Sequence, residues 1–581
     1  MAALVSALDN HTPQQIGENG HVEYGWSNST QEQIIQLSFQ VTRTDENGIN
    51  NLKTILRKLL AVLHQQVSSG TIVEKQIAKG YLSVLYKMIG QTRDIVDGKG
   101  EYALTYMMIY TWYDFFPALA QFALKCLVDL GEKHQYGSWK DIKYFCEYCK
   151  SQGCDMKHGL VQYAIQLMND QLRKDIASSG NLSLASKWVP REKSQFKWIY
   201  AELATNYFPE YMATADTPVR IEKAVLKCKT EYRKLISSLN KKIDTLQIKQ
   251  CGKDWSSINF NKVTSISLGK QKKAFLNVNK KGEARFPDDQ DRVECAEHFN
   301  AHIQKAVKGE VEMKGARVGM ADFTKQARQL NRGYGSQVEK DLLNSQWRDS
   351  SKLTGALENF IAMVDLSGSM MGDPMDVAIA LGIRIAEKSK LGKRVMTFSM
   401  NPKWINLEPY PDFVSQVKAV ESGEVGYNTD FHKALDLILD AIVLNKMDPL
   451  DVQNMVLVML SDMQIDQAEP YGGANHAHQR TALFETIKEK YAAAGMRVHG
   501  APYKAPHILF WNLRCTSGFP SMSNEPGASM VAGFSPALLN DFCDKGMNAL
   551  LSLTPWYQLV SSLSKDRYQV LEDQLEETIE V

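Results

Sequence analysis

Residues 361–370 read IAMVDLSGSM, and this stretch determines how the second half of the chain must fold. Four largely apolar residues run into Asp365, and Ser and Gly then open a short turn, as in a buried strand that ends in a group of oxygen ligands. Asp365, Ser367 and Ser369 alternate, so a turn that curls back can aim one carboxylate and two hydroxyls at a common point. That donor set suits a hard divalent cation. The competing reading is an ordinary strand-to-helix turn in which a serine caps the helix.

Working outward, two more stretches carry oxygen ligands: Tyr427-Asn428-Thr429-Asp430, just before an expected helix, and Ser461-Asp462, directly after the apolar run 455–460. From residue 356 onward strand and helix patterns alternate. Strands are expected at 361–365, 394–398, 455–460, 507–511 and 530–534, with helices at 376–388, 413–420, 431–444 and 478–494. This predicts an α/β doubly wound, largely parallel sheet covered on both faces, followed by C-terminal helices. Ligands of such sheets bind beyond the carboxyl ends of strands, where Asp365 and Asp462 both fall. Two carboxylates and up to three hydroxyls leave room for water or for a partner's carboxylate, which suits Mg²⁺. Neutral hydroxyl ligands leave the cation incompletely neutralised, so the site reads as a binding device. No histidine is placed at a strand end to activate a serine, and no G-x-x-x-x-G-K-[ST] phosphate loop follows the first strand.

The first half has a different grammar. Residues 1–49 are expected to form a tail or an irregular cap. From residue 50, Leu52, Ile55, Leu56, Leu59, Leu60 and Leu63 recur at spacings of three and four. Similar faces follow at 73–89, 102–113, 117–130, 139–149, 160–178, 195–207 and 218–243. Helix after helix without strand pairs predicts an all-α helical-repeat array over 50–355, ending in a mixed, basic connector from about residue 244. The stretch 94–101, DIVDGKGE, is a glycine-containing joint between helices and hints at a binding surface.

Charge is unevenly placed although the formal total is +1. Residues 220–285 hold 17 Lys/Arg against five Asp/Glu. On one helix Lys223, Lys227 and Lys234 lie along one side, Lys241 continues the row, and Lys229, Arg233 and Lys242 add to the charge. Such a stripe can follow a phosphate backbone, with Tyr232, Trp255 and Phe260 available to stack on unpaired bases. It can equally be a solvated face whose lysines snorkel around an apolar side. Cys146, Cys149, Cys154 and His158 have a spacing that could hold Zn²⁺, or they are packed thiols on a helix. The dense aromatics Trp112, Tyr113, Phe115 and Phe116 read as core.

The chain's 581 residues are 44% hydrophobic and 23% charged, a globular composition sufficient for several cores. No apolar run is long enough to cross a bilayer, and MAALVSALDNHTPQ has no basic leader, so no signal peptide is expected. Nine cysteines, an odd number in a long chain, suit reduced thiols and a cytoplasmic location.

Asp365–Ser369 with Met370, Thr429 and Asp462 resembles the metal-ion-dependent adhesion site of von Willebrand factor type A domains. The resemblance implies that Asp365, Ser367 and Ser369 supply the first ligand loop, Thr429 the second and Asp462 the third, and that a partner binds through Mg²⁺; it does not by itself imply catalysis. Gly98–Glu101, the stretch YGSWKDI at 136–142, Lys187–Pro190, YRKL at 232–235 and residues 255–265 resemble a family of uncharacterised plant, fungal and giant-virus proteins. In that family such helices precede an A-type domain, over roughly residues 50–560 of this chain. The layout is similar to the Ro autoantigen, whose helical (TROVE-type) array is closed by an A-type domain and binds RNA. Two expectations follow for a nonenzymatic binding protein: an RNA-binding scaffold, or a structural protein, virion-associated if viral, that captures an acidic protein partner through the metal site.

Overall fold

The computed structural model describes residues 13–398, 401–422, 431–465, 483–543 and 547–580. Near the N-terminus β1 (Gln14–Ile16) and β2 (Val22–Tyr24) form a small antiparallel hairpin. The main sheet contains β3 (Phe360–Asp365), β4 (Arg394–Phe398), β5 (Lys403–Asn406), β6 (Val456–Ser461), β7 (His507–Asn512) and β8 (Ala528–Ala532) in the order β5-β4-β3-β6-β7-β8. All neighbours pair in parallel except β5, which closes one edge antiparallel to β4.

Every residue of β3 and β6 is buried, as central parallel strands with both faces covered require. Alternation sends their side chains into two different cores. Ala362, Val364, Val458 and Leu460 face the Asp373–Lys388 helix, together with Met320–Asn331 and Gln337–Ser351. Ile361, Met363, Leu457 and Met459 face the Phe431–Leu444 and Leu483–His499 helices on the other side. The chain therefore leaves β3 over one face and β6 over the other, and the strand order reverses between these two neighbours.

The helical half follows the periodicity read from sequence. Glu46–Ser69 buries Leu52, Leu56, Leu59, Leu60, Leu63 and Val67 on one stripe and turns through Thr71, whose capping box with Glu74 starts Ile72–Arg93. Ala103–Tyr113, Pro117–Cys126, Lys140–Ser151, Gly159–Ala177, Lys197–Tyr207 and Pro218–Ile243 continue the series. The helix expected to reach residue 130 stops at Cys126. In the basic connector the helices Ser265–Phe275 and Gln290–Val307 pack around a small core of Phe260, Phe275 and Phe299. The polar stretch after Asn331 also folds as a helix, Gln337–Ser351, whose Trp347 stacks on Phe413 at 3.9 Å between ring centroids.

Both ends of the described chain brace the junction between the halves. Residues 13–45 run along the sheet: Phe519 exchanges backbone hydrogen bonds with Tyr24, Asn512 donates to the Phe39 carbonyl at 2.8 Å, and the Glu32 carboxylate accepts from the Ser523 amide. The helices Pro555–Leu563 and Asp566–Thr578 return to lie on Ile72–Arg93. The 94–101 loop is the joint and not an open binding surface. Asp94 accepts two hydrogen bonds from Arg567 at 2.7 and 2.8 Å, Lys565 pairs with Asp97, and Arg43 pairs with Glu101. Lys99 is buried, and its Nζ donates to the Ser38 and Val41 carbonyls, each at 2.9 Å. Gly98 belongs in this joint because a Cβ there would lie 2.1 Å from the Gln91 carbonyl oxygen.

Candidate metal centre

Asp365 ends β3 and Asp462 follows β6, so adjacent strand ends bring two carboxylates to the point where the strand order reverses. Both side chains are fully buried. Asp365 Oδ1 accepts from the Ser367 amide at 2.8 Å, and Oδ2 accepts from the Ser461 hydroxyl at 2.6 Å. The Ser367 and Ser369 hydroxyls lie 3.0 Å apart in the turn that follows β3. Asp462 accepts from the Gln464 amide and, at 3.3 Å, from the half-exposed Arg514 guanidinium.

Burial, and next the negative charge of Asp462, push the Asp365 carboxyl well above the usual carboxylate range, against the hydrogen bonds from Ser461 and Ser367. Met463, directly after Asp462, adopts a φ of 63°, a left-handed conformation uncommon for a non-glycine residue. Its amide donates to Ser461 Oγ at 3.0 Å, so Ser461 links both strand ends. Two crowded carboxylates with neutral hydroxyls beside them form an all-oxygen donor set, which fits a hard cation such as Mg²⁺ and is poor for softer metals. Thr429, with Tyr427, Asn428 and Asp430, lies outside the described residues. Sequence reading did not assign roles to Ser461 and Arg514. Ser461 stands beside Asp462 in the sequence as an oxygen ligand but with no sign that it holds Asp365, whereas nothing local marks Arg514.

The other candidate residues sit elsewhere. Cys146 and Cys149 are buried in the helical core, where burial pushes the Cys146 thiol up to about 12 and raises Cys149 further. Cys154 Sγ donates to the Tyr110 hydroxyl at 3.7 Å, while the His158 ring stacks on Tyr110 and its Nδ1 accepts from the Leu160 amide. Among the described residues no group of three or more His, Cys, Asp or Glu side chains gathers as a metal cluster. On the Pro218–Ile243 helix, Lys223, Lys227, Lys234, Lys241 and Lys242 are exposed, and Lys229 is half-buried. Lys229 and Arg233 pair with Glu192, and Lys234 pairs with Glu231. Of the aromatics expected to stack on bases, Tyr232 and Phe260 are core residues, and Trp255 lies under the Arg292 guanidinium at 3.8 Å. The helical register turns Tyr232 inward, toward a hydrogen bond with Asn169.

Comparison with known proteins agrees with two joined regions. Residues 359–562 match the model of a domain of unknown function, DUF7788, and residues 161–351 match that of another, DUF2828. The chain is 27% identical over 482 residues to an uncharacterized protein, L728, of Acanthamoeba polyphaga mimivirus, across 79% of this chain and 76% of the viral one. Among the described residues no helix is long and apolar enough to cross a membrane. The chain is thus similar to uncharacterised proteins that include a giant-virus member, with a helical region followed by a mostly parallel six-stranded sheet.

Proposed function

We propose that the chain is a nonenzymatic binding protein in which a helical scaffold carries a von Willebrand factor type A-like domain that captures an acidic protein partner through a divalent cation. Asp365, Ser367 and Ser369 would hold the cation, with Asp462 and Thr429 completing the set and Ser461 orienting the Asp365 carboxylate. The observation that carries this reading is the convergence of Asp365 and Asp462 at the reversal of strand order, beside hydroxyls 3.0 Å apart. The cation supplies an electrophilic point that a partner's Asp or Glu can complete.

The test compares wild type with Ser369→Ala in chelator and in Mg²⁺. A cation at a hundred times its dissociation constant stabilises the native state by about 2.7 kcal/mol, so wild type should melt at a higher temperature with Mg²⁺ and the variant should not. Metal-dependent recovery of a protein partner by wild type alone completes the result. Equal melting of both proteins with and without Mg²⁺ removes the cation from the reading.

A second reading, an RNA-binding scaffold resembling Ro, is favoured by Lys223, Lys227, Lys241 and Lys242, which form no ion pair among the described residues. Nuclease-sensitive RNA retained equally by Ser369→Ala and lost at high salt would move the function to that helix.

A further inference from the structure

A second polar constellation lies outside the metal centre and the lysine stripe. Lys140 and Lys143, from the start of the Lys140–Ser151 helix, meet Lys187 around the Trp188 ring, at 6.0, 4.9 and 5.8 Å from its centroid. Arg191 adds its charge nearby: it and Lys140 both depress the Lys143 amine, after the larger effect of burial. Among the described residues none of these four cations has a carboxylate at ion-pair distance. Glu192, next to Arg191 in sequence, is already paired with Arg233 and Lys229. Three lysines over aromatic rings, with an arginine nearby and no ion-paired carboxylate, repel one another, and an anion would relieve that cost.

Two of these cations, Lys187 and Arg191, also border a cavity of about 830 Å³ beside the Pro218–Ile243 helix. Lys187, Trp188 and Arg191 line it together with the ion pair Glu192–Arg233, Pro190 and Ile236 give it apolar walls, and Gln247 brings an amide. The Gln247 Oε1 is buried with no hydrogen-bond partner, an acceptor left for a donor that the chain does not supply. The volume is that of a small-molecule site. An aromatic ring, an apolar wall, one amide that can read a base edge, and a rim of cations suit a flat heteroaromatic body carrying phosphate.

We propose that the groove beside Trp188 binds a nucleotide, with the base against Trp188 and Pro190, its edge at Gln247 and its phosphate at Lys187 and Arg191. The ligand chemistry is the same whether the nucleotide is free or a unit of single-stranded RNA. The site shares no residue with the metal centre, so it does not depend on the cation.

The full-length protein is titrated calorimetrically in chelator with inorganic phosphate, adenosine 5′-monophosphate and a short single-stranded oligoadenylate. The nucleotide should bind at one per chain and more tightly than phosphate. Lys187→Gln/Arg191→Gln should weaken it by about tenfold or more, whereas Lys308→Gln/Lys418→Gln leaves it unchanged. An oligonucleotide that binds more tightly than the mononucleotide assigns the groove to a strand, and equal affinity assigns it to the free nucleotide. Photocrosslinking of 8-azidoadenosine 5′-monophosphate to wild type, mapped by mass spectrometry, should label the peptide that contains Trp188 and needs no variant. No saturable binding of either nucleotide ligand, binding unchanged in Lys187→Gln/Arg191→Gln, or labelling elsewhere overturns the proposal.

Discussion

Lys99→Met should change how stability depends on pH, and the size of the change follows from where the amine sits. Lys99 is 6% exposed, its Nζ is held by the Ser38 and Val41 carbonyls, and burial pulls its pKa from 10.5 down to about 7, only partly opposed by Glu101. Between those two values the unfolded chain binds a proton that the folded chain does not, so stability rises with pH across the window. The cost of the buried charge is fully present below about pH 7 and gone above pH 10.5. Three and a half pH units at 1.36 kcal/mol each give a swing of roughly 5 kcal/mol. Methionine keeps the volume and removes the titration, together with two hydrogen bonds that are present at every pH.

Urea unfolding of wild type and Lys99→Met at intervals from pH 6.5 to 10.5, followed by tryptophan fluorescence and circular dichroism, isolates the term. Other lysines and tyrosines titrate alike in both proteins and cancel in the difference. The wild-type stability relative to the variant should climb by several kcal/mol between pH 7 and 10.5. Parallel curves would show that Lys99 is solvated, and the description of the 94–101 loop as a closed joint would fall.

Two more predictions concern buried charge in the same half. Asp141 accepts from Arg93 at 2.7 and 2.9 Å and from the Tyr106 hydroxyl at 2.6 Å, and neither charged residue is more than 1% exposed. Asp141→Asn keeps the shape but strands the guanidinium, and should lower unfolding free energy by about 3–5 kcal/mol in denaturant titration, while Arg93→Met/Asp141→Leu should cost less than that single change. Arg567→Ala leaves the buried Asp94 carboxylate with only the Tyr568 hydroxyl at 3.2 Å and its local backbone contact. Limited proteolysis should then cut first around residues 564–566, which the wild type should resist under the same conditions.

Much of this architecture is legible in the sequence because its signals are local. The strand ends at Asp365 and Asp462, the parallel sheet, and the stripe Leu52–Leu56–Leu59–Leu63 all follow from spacing alone. The missed elements have weak local signals. The edge strand β5 is four residues long and mostly exposed, so it lacks the apolar run that marks its neighbours. The Gln337–Ser351 helix buries Leu342, Leu343 and Trp347 at helical spacing, but its polar composition and the glycines before it suggest a loop. At the metal centre the alternating oxygens are visible in the chain, whereas the Ser461 bond to Asp365 spans 96 residues and exists only once strands pair. Tyr232 shows the opposite error: an aromatic beside lysines looks available to a base until the helical register turns it inward.

The helices Met320–Asn331 and Gln337–Ser351 precede β3 in sequence yet share one core with it, while residues 13–45 and the last two helices cross the other way. The two matched family regions meet in the chain between residues 351 and 359, but the seam in space runs elsewhere. A gene cut at that linear seam would separate Trp347 from Phe413 and leave a sheet face bare, so the halves are not interchangeable cassettes. Whatever binds at the cation site or in the Trp188 groove meets one interlaced body and not a detachable module.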